Sequence, residues 1–415
     1  MEPARTLNPL PVWMTAPATR RVVDALSKSG AEVRFVGGCV RDALLGRPVA
    51  DIDIATPEPP EIVIDRLHSA GIHSIPTGIA HGTITAVIDG QHFEITTLRV
   101  DVETYGRHAE VAFTDDWTED AARRDFTMNA LSCDSDGAVF DPWGGLADLE
   151  AGHVRFVGEA KTRIEEDHLR LLRFFRFHAW YGHGLPDEAA LAACATWASS
   201  IAGLSGERLR VETLKLLAAP DPAPVVDLLA TTGVLAHLLP GATASPRLAA
   251  LVNTNARGSA DPVLRLATLI RDADAQAVAE RFRLSNDDAA RLTSLTESTV
   301  VIAPGDDEIV RRATLYRIGG EHYRDLVLLA WADAGGSDAS EAASFQAMLT
   351  AADEWQPIAL PVRGADVLAL GVAAGPRVGE LLEAVEEWWI KADFRPDREA
   401  ALEKLSALVA DDQTN

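Results

Sequence analysis

The stretch VRFVGGCVRDALLGRPVADIDIA, residues 33–55, decides the fold of the first part of the chain. A β-rich run leads into two glycines and a helical stretch, and a second β-rich run begins at Asp51. Residues two apart on a strand face the same side, so Asp51 and Asp53 share one face while the isoleucines that alternate with them enter the core. The stretch therefore predicts a strand–helix–strand unit with carboxylates at one edge.

The paired aspartates are candidate metal ligands. Two carboxylates side by side repel each other unless a cation lies between them, and Mg²⁺ typically takes one or two carboxylates together with substrate phosphates. Asp51 and Asp53 are therefore candidate ligands of Mg²⁺. The alternative is an edge strand with a solvated face, and the aspartate pair alone does not decide between the two.

The glycines before this pair are typical of a phosphate site. A strand that turns through Gly37 and Gly38 into a helix brings backbone amides close to a phosphate. Arg41, in the first turn of that helix, is placed to donate charge-assisted hydrogen bonds to a triphosphate. The chain contains no GxxxxGK[ST] loop and no GxGxxG fingerprint. A phosphate cradle shortly before a carboxylate pair is more specific than either feature alone.

Composition limits the class of protein. The chain has 415 residues, of which 47% are hydrophobic and 24% charged, so it is long enough for two or three domains with a sizeable core. A net charge of −24 excludes a histone-like or membrane-coating protein. No apolar run reaches membrane-spanning length, and the N-terminus does not resemble a secretion signal. Cys39, Cys133 and Cys194 are widely spaced and are predicted to be reduced thiols of a cytoplasmic protein.

Periodicity divides the chain into two parts. Up to about residue 157, short β-rich runs alternate with turns, and later segments repeat apolar residues at helical spacing. The predicted strands are residues 33–37, 51–55, 82–88, 92–98 and 137–143, with helices over 58–70 and 120–132. An exposed loop is predicted over 333–344. The fold class is predicted to be α+β, a mixed sheet with helices followed by an all-helical remainder.

Four motifs together resemble the class II nucleotidyltransferases, the family of CCA-adding tRNA nucleotidyltransferases and bacterial poly(A) polymerases. In chain order they are GGCVRD (37–42), DIDIAT (51–56), RRDFTMNA (123–130) and EDHLR (166–170). The resemblance covers roughly residues 30–215 and implies a polymerase-β-like nucleotidyltransferase head. The implied domains are a lead-in helix (1–30), the head (31–150), a helical neck that recognises the base (151–220), and a helical body and tail that bind tRNA (221–415).

The resemblance also implies roles for single residues. The resemblance assigns Asp51 and Asp53 to the catalytic metal site and, more loosely, Glu94 to its surroundings. The implied nucleotide-binding residues are Gly38, Arg41, Arg124, Asp125, Asn129, Asp167, Arg170, Arg173 and Arg176. Residues 102–111 match a mobile loop that assists the final addition, although Tyr105 stands where family members often have Asp. Glu207 and Arg208 match a motif interpreted as structural support at a helix start.

Asp167 and Arg170 have two interpretations. On one helix, residues at i and i+3 are neighbours, so a surface salt bridge between them is the simpler hypothesis. A carboxylate accepts and a guanidinium donates, however, and cytosine and adenine each present an amino donor beside a ring-nitrogen acceptor. Uracil and guanine present the reverse order. The pair could therefore select C and A without a template, which is the role that the resemblance implies.

The function implied is addition of CMP, CMP and AMP to tRNA 3′ ends from CTP and ATP, by nucleotidyl transfer on two metals. The expected partners are the acceptor stem and elbow of tRNA, CTP and ATP, with no membrane and no DNA. A poly(A) polymerase, or an enzyme that adds only CC or only A, is the nearest alternative. A non-catalytic RNA-binding module on the same fold is more remote, because Asp51, Asp53, Arg41 and Arg124 are all present.

Overall fold

The computed structural model describes residues 1–28, 30–105, 108–242, 246–270, 274–336 and 339–414. It confirms the predicted α+β class. Contacts divide the chain into two compact units. The first consists of Met1–Ala244 and Asp272–Ser285, and the second of Ser245–Arg271 and Asn286–Asn415. The predicted boundaries at residues 30, 150 and 220 remain predictions.

The first unit contains a mixed eight-stranded sheet in the order β1-β10-β9-β2-β3-β6-β5-β4 and a separate β7-β8 hairpin. The strands are β1 Arg5–Thr6, β2 Arg34–Val36, β3 Ile52–Thr56, β4 His73–Gly78, β5 Thr83–Ile88, β6 Gln91–Thr97, β7 Arg99–Tyr105, β8 His108–Phe113, β9 Ser132–Cys133 and β10 Ala138–Phe140. Among the described strands of this sheet only β3 and β6 pair in parallel, and their register places Asp53 beside Glu94. Ile52 and Ile54 are buried, as alternation predicts.

In the described part of the first unit, six α-helices accompany this sheet and seven more follow them. The former are α1 Val12–Thr15, α2 Pro17–Ser27, α3 Gly38–Leu44, α4 Pro60–Ser69, α5 Trp117–Ala122 and α6 Gly145–Ala151. The latter are α7 Ala160–Glu166, α8 Leu169–Tyr181, α9 Glu188–Thr196, α10 Gly206–Leu217, α11 Ala223–Thr231, α12 Val234–Leu238 and, from later in the chain, α15 Ala275–Phe282. Helix α10 packs against both α8 and α15.

The second unit is helical in its described residues. Its helices are α13 Pro246–Asn253, α14 Pro262–Leu269, α16 Asn286–Thr296, α17 Glu308–Ile318, α18 Gly320–Asp333, α19 Ala339–Glu354, α20 Gly364–Ala369, α21 Pro376–Lys391 and α22 Arg398–Thr414. Arg291 of α16 bonds the carboxylates of Asp261 and Asp325, and so ties α16 to the start of α14 and to α18. The last three helices share an apolar cluster that includes Val367, Val385 and Leu405.

Three local predictions were wrong. A helix over 120–132 is replaced by α5, a connecting segment, a 3₁₀ turn at Thr127–Asn129 and β9. The side chain of Asp125 accepts from the Phe126 amide, and the Phe126 backbone pairs with Phe156, so these contacts override the helical pattern. The lead-in helix is two helices preceded by β1. The predicted loop at 333–344 ends early, because α19 begins at Ala339.

Candidate active site

Three carboxylates lie on or next to two adjacent central strands of the sheet. Asp53 is half-buried on β3, Glu94 is exposed on the neighbouring strand in register with it, and exposed Asp51 immediately precedes β3. Burial, followed by the charge of Glu94 and, more weakly, of Asp51, raises the pKa of Asp53 to about 6, although the Arg124 guanidinium opposes the shift. The cluster therefore carries more negative charge than its surroundings compensate.

These carboxylate oxygens fit a hard cation whose remaining ligands are supplied by the substrate. Within the described residues, no group of three or more His, Cys, Asp and Glu side chains is arranged to hold a metal by itself. Carboxylate oxygens from Asp51 and Asp53, supplemented by phosphate oxygens, match the usual coordination of a divalent cation such as Mg²⁺. The observation that favours a cation here is the placement of Asp53 beside Glu94 on adjacent strands, with Asp51 two residues before Asp53.

The glycine turn before α3 holds an arginine close to the backbone. Gly37 has a φ of +69°, and a Cβ at this position would lie 3.0 Å from Nη1 of Arg124. Gly37 is thus the residue that must be glycine for both conformational and steric reasons. The predicted Gly38 opens the helix beside it, where a Cβ would lie 3.7 Å from Nη2 of Arg41. The turn brings both predicted phosphate-side arginines to the start of α3.

Arg41 is buried and held from two sides. Its Nη1 donates to Oδ1 of Asn129 at 2.6 Å, while Nε and Nη2 donate to the Asp42 carboxylate at 3.0 and 2.9 Å. Arg124 donates to Asp120 at 3.2 Å. Burial alone would raise the pKa of Asp120, but Arg124 and Arg123 hold it below its ordinary value. Both arginines are therefore fixed before any ligand arrives.

A continuous chain of polar contacts leads from Arg41 to the neck arginines, and we call it the pocket relay. Asn129 donates to Asp125 at 2.9 Å, and Asp125 accepts from Nε of Arg173 at 2.7 Å. Arg173 faces Glu212 at 3.5 Å, and Glu212 accepts from Nε of Arg176 at 2.5 Å. The members in order are Arg41, Asn129, Asp125, Arg173, Glu212 and Arg176.

The relay alternates cations with acceptors in a buried environment. Asp125 is fully enclosed, and burial alone would raise its pKa, but the Arg173 guanidinium and the Asn129 amide hold it below its ordinary value. Burial likewise works against the charge on Arg173, yet Asp125 and Glu212 raise its pKa. Asp125 and Arg173 therefore stabilise each other's charged form within a connected polar network.

Asp167 and Arg170 do not form the predicted helical pair. Helix α7 ends at Glu166, Asp167 has an extended backbone, and α8 begins at Leu169. Asp167 accepts from Arg208 at 2.6 Å and from the Leu169 amide at 3.1 Å. Arg170 pairs with Glu166 and donates to the carbonyl of Arg123 at 3.1 Å. Among the described contacts no ion pair joins the two side chains, so the salt-bridge hypothesis is not supported.

Sequence reasoning missed several partners of the predicted residues. Glu212 is only 5% exposed and holds two neck arginines, while Asp42 and Asp120 each fix an arginine of the head. Arg208 was predicted to support a helix start, and it instead bonds Asp167. One signal was available, because three arginines on an otherwise apolar helix require buried acceptors elsewhere.

The predicted mobile loop is described in part. Residues 102–105 and 108–111 belong to strands β7 and β8, which pair in an antiparallel hairpin. Gly106 and Arg107, which follow Tyr105 in the motif, lie outside the described residues. The assignment of this loop stays a prediction.

Two family models match the chain. The model for the Poly A polymerase head domain matches residues 33–155, and the model for the probable RNA and SrmB-binding site of polymerase A matches residues 186–245. The first of these ranges contains β3, β6 and the turn before α3. None of the described helices is both long and apolar enough to cross a membrane.

Relatives and solved structures extend the match to nearly the whole chain. The CCA tRNA nucleotidyltransferase 1, mitochondrial, of Mus musculus is 35% identical over 92% of this chain and 88% of its own length. The CCA-adding enzyme of Geobacillus thermodenitrificans is 42% identical over 53% of this chain and 54% of its own. The Bacillus stearothermophilus CCA-adding enzyme in complex with CTP superposes with a TM-score of 0.74 at 28% identity, covering 96% of this chain and all of that one. The chain belongs to the CCA tRNA nucleotidyltransferase family.

Proposed function

We propose that this protein adds CMP, CMP and AMP to the 3′ ends of tRNA from CTP and ATP without a nucleic-acid template. The observation that carries the proposal is the pocket relay, which joins the phosphate-side Arg41 to the neck arginines beneath one site. Similarity to CCA-adding relatives over most of the chain supports the same activity. A single pocket then serves both nucleotides, since both present the same donor–acceptor edge.

At the carboxylate end, Asp51 and Asp53 would hold Mg²⁺, with Glu94 beside them. Bound there, the metal would supply activation of the attacking 3′-hydroxyl and stabilisation of the leaving pyrophosphate. Arg41 and Arg124 would compensate the charge of the triphosphate. Their hydrogen bonds to Asp42, Asn129 and Asp120 orient them in advance, so little reorganisation accompanies binding.

At the base end, Asp167 would accept the amino group of cytosine or adenine, and Arg170 would donate to the adjacent ring nitrogen. The contacts of these two side chains support this assignment. Asp167 is paired with Arg208 and Arg170 with Glu166, and no described ion pair joins Asp167 to Arg170. Uracil or guanine would place donor against donor and leave buried groups unpaired. Such mismatches are a strong source of discrimination.

The proposed partner is the 3′ end of tRNA, with the helices after residue 220 on the acceptor stem and elbow. The Thermotoga maritima CCA-adding enzyme complexed with tRNA has the same fold, with a TM-score of 0.66 at 20% identity over 98% of this chain and all of that one. The cytoplasm is the proposed compartment, although the mouse relative is named mitochondrial. We propose no role for DNA or membranes.

The test uses purified protein, Mg²⁺ and a tRNA transcript that ends at the discriminator base. We expect products longer by two residues with CTP alone and by three with both nucleotides. Long A-tracts from ATP alone would identify a poly(A) polymerase, and growth that stops short with both nucleotides would identify a partial enzyme. Asp53→Ala should add nothing while still binding tRNA, which controls for contaminating activity. Tight tRNA binding without any addition by the parent would favour the RNA-binding module.

A further inference from the structure

Tyr181, at the C-terminal end of α8, contacts the arginines of the head. The guanidinium carbon of Arg41 lies 4.2 Å from the centre of the tyrosine ring, and that of Arg47 lies 4.6 Å from it. The ring also stacks on Phe177, one helical turn earlier, with the ring centres 5.7 Å apart. Tyr181 is thus an aromatic platform beneath two cations.

The hydroxyl of Tyr181 reaches the same arginine by a second route. It donates to Oδ1 of Asp42 at 3.0 Å, and the Asp42 carboxylate accepts from Nε and Nη2 of Arg41. Burial raises the pKa of Tyr181 above its ordinary value, so the hydroxyl remains a donor at neutral pH. The tyrosine therefore holds Arg41 directly through its ring and indirectly through Asp42.

We propose that Tyr181 is a positioning residue that directs Arg41 toward the triphosphate of the incoming nucleotide. This inference rests on the proposed function and adds a residue that the sequence motifs do not include. The two ends of helix α8 then have separate roles. Arg170 at its start serves the base, and Tyr181, about 16 Å further along the helix axis, serves the phosphates.

This separation predicts a specific kinetic signature. Tyr181→Leu removes the ring and the hydroxyl, so Arg41 keeps only the more distant Phe177 ring, 5.2 Å from its guanidinium carbon, and loses one tie through Asp42. Because every nucleotide carries the same triphosphate, KM should rise by the same factor for CTP and ATP, by about 3- to 30-fold for a desolvated cation–π contact. The preference for C and A over U and G should not change, since Asp167 and Arg170 are untouched.

The experiment measures kcat and KM for CTP and ATP at saturating tRNA, together with inhibition by inorganic pyrophosphate. Pyrophosphate inhibition should weaken in Tyr181→Leu by the same factor as KM rises, while kcat stays within about threefold of the parent. Tyr181→Phe keeps the ring and should restore most of the loss. Trp180→Leu is the matched control, because it removes the neighbouring aromatic residue, which stacks on no guanidinium among the described contacts.

The proposal is overturned if KM rises for only one nucleotide, if pyrophosphate inhibition is unchanged, or if Trp180→Leu has an effect of equal size. Thermal unfolding of each variant shows whether it is folded, and Tyr181→Met replaces the leucine variant if that variant unfolds. The parent is assayed first with CTP and tRNA. A parent that adds no nucleotide contradicts the proposed function itself, whereas an active parent with an unaffected Tyr181→Leu contradicts only this inference.

Discussion

The ionised Asp53 side chain lowers the stability of the folded protein when no metal is bound. Burial and the charge of Glu94 raise its pKa to about 6, so the folded protein holds a proton there more tightly than the unfolded chain does. Ionised Asp53 therefore costs stability above pH 6, and this cost disappears as the pH falls below the unfolded value of about 4. A cation at the site would remove the same cost.

Replacing Asp53 by Asn should therefore stabilise the protein while abolishing activity. We expect a gain of about 1–2 kcal/mol at pH 7.5 in EDTA, after allowance for solvent screening, and no gain near pH 4. Urea unfolding at the two pH values measures it, with Asp136→Asn on an exposed turn as the control. Equal stability of parent and variant at pH 7.5, or normal CMP incorporation by the variant, would contradict this account.

Arg208 should control nucleotide choice through Asp167. Arg208 bonds the Asp167 carboxylate at 2.6 Å, and Arg208→Ala leaves that carboxylate held by the Leu169 amide on one oxygen, so its orientation toward the base is less constrained. We expect UTP and GTP to enter alongside CTP and ATP, with discrimination weakened by about 1–3 kcal/mol. Incorporation from each triphosphate measures the effect. Arg210→Ala, on the same helix but bonded to the Arg283 carbonyl, should keep the parent's selectivity. Unchanged selectivity in both variants would remove Arg208 from the site.

Candidate residues of the site could be named from the sequence motifs, whereas the partners of those residues could not. The alternation of the run from Asp51 to Ala55 indicates that Asp51 and Asp53 share one face, and the glycine turn indicates the position of Arg41. The partners of Asp167 depend on where α7 ends, and no Gly or Pro marks that break in the sequence. Periodicity continues across Asp167 and His168, so the pattern alone gave an i, i+3 pair that the fold does not make.

At the scale of elements, α10 depends on close approach by α15. Gly206 begins α10, and a Cβ there would overlap the carbonyl oxygen of Arg281. The same arginine donates to the carbonyls of Leu204 and Ile201 at 3.0 and 3.2 Å. Since α10 also carries Arg208 and Glu212, the packing of these two helices sets the position of the base end of the pocket.

Gly206→Ala should therefore destabilise the protein, although alanine is the better helix former. We expect a loss of about 1–3 kcal/mol, because the overlap is with backbone and not with a flexible side chain. Gly203→Ala is the matched control, since a Cβ there meets nothing within 4 Å. It should be neutral or stabilising by up to about 1 kcal/mol. Thermal or urea unfolding compares the two, and equal effects would disprove the close-packing explanation.

Elements with strong local patterns were predicted, and those fixed by distant contacts were not. The five predicted strands are all present, because their sequences show the alternation that strands such as β5 turn into alternately half-buried and buried side chains. The segment from Arg123 to Asn129 has helical spacing but forms no α-helix, because Asn129 bonds Asp125 and Asp125 in turn bonds Arg173, 48 residues further along the chain. Such tertiary contacts override propensity.

The whole molecule is not assembled in simple chain order. Residues Asp272–Ser285 return to the first unit after the chain has entered the second. The returning helix α15 buries Phe282 completely and Val278 and Ala279 nearly so. A domain boundary drawn near residue 220 from sequence could not include this return, because the partner helix α10 lies about 60 residues earlier.

A truncation that ignores this return should fail. We expect fragment 1–244 to be less stable than fragment 1–285 by at least about 3 kcal/mol, since it loses a buried phenylalanine and the Arg281 bonds. Binding of an apolar dye and urea unfolding of both fragments measure the difference. Fragments of equal stability would mean that α15 is dispensable for the first unit.

The pocket relay also limits how this enzyme can change. Each charged member has an oppositely charged or amide neighbour. A single substitution therefore leaves a buried partner without its hydrogen bond, whereas two compensating substitutions do not. Mutational effects along it are therefore epistatic, and the sign of one change depends on which change came before. Laboratory evolution toward other nucleotides would have to pass through poorly folded single variants. Libraries that vary neighbouring relay positions together avoid these intermediates.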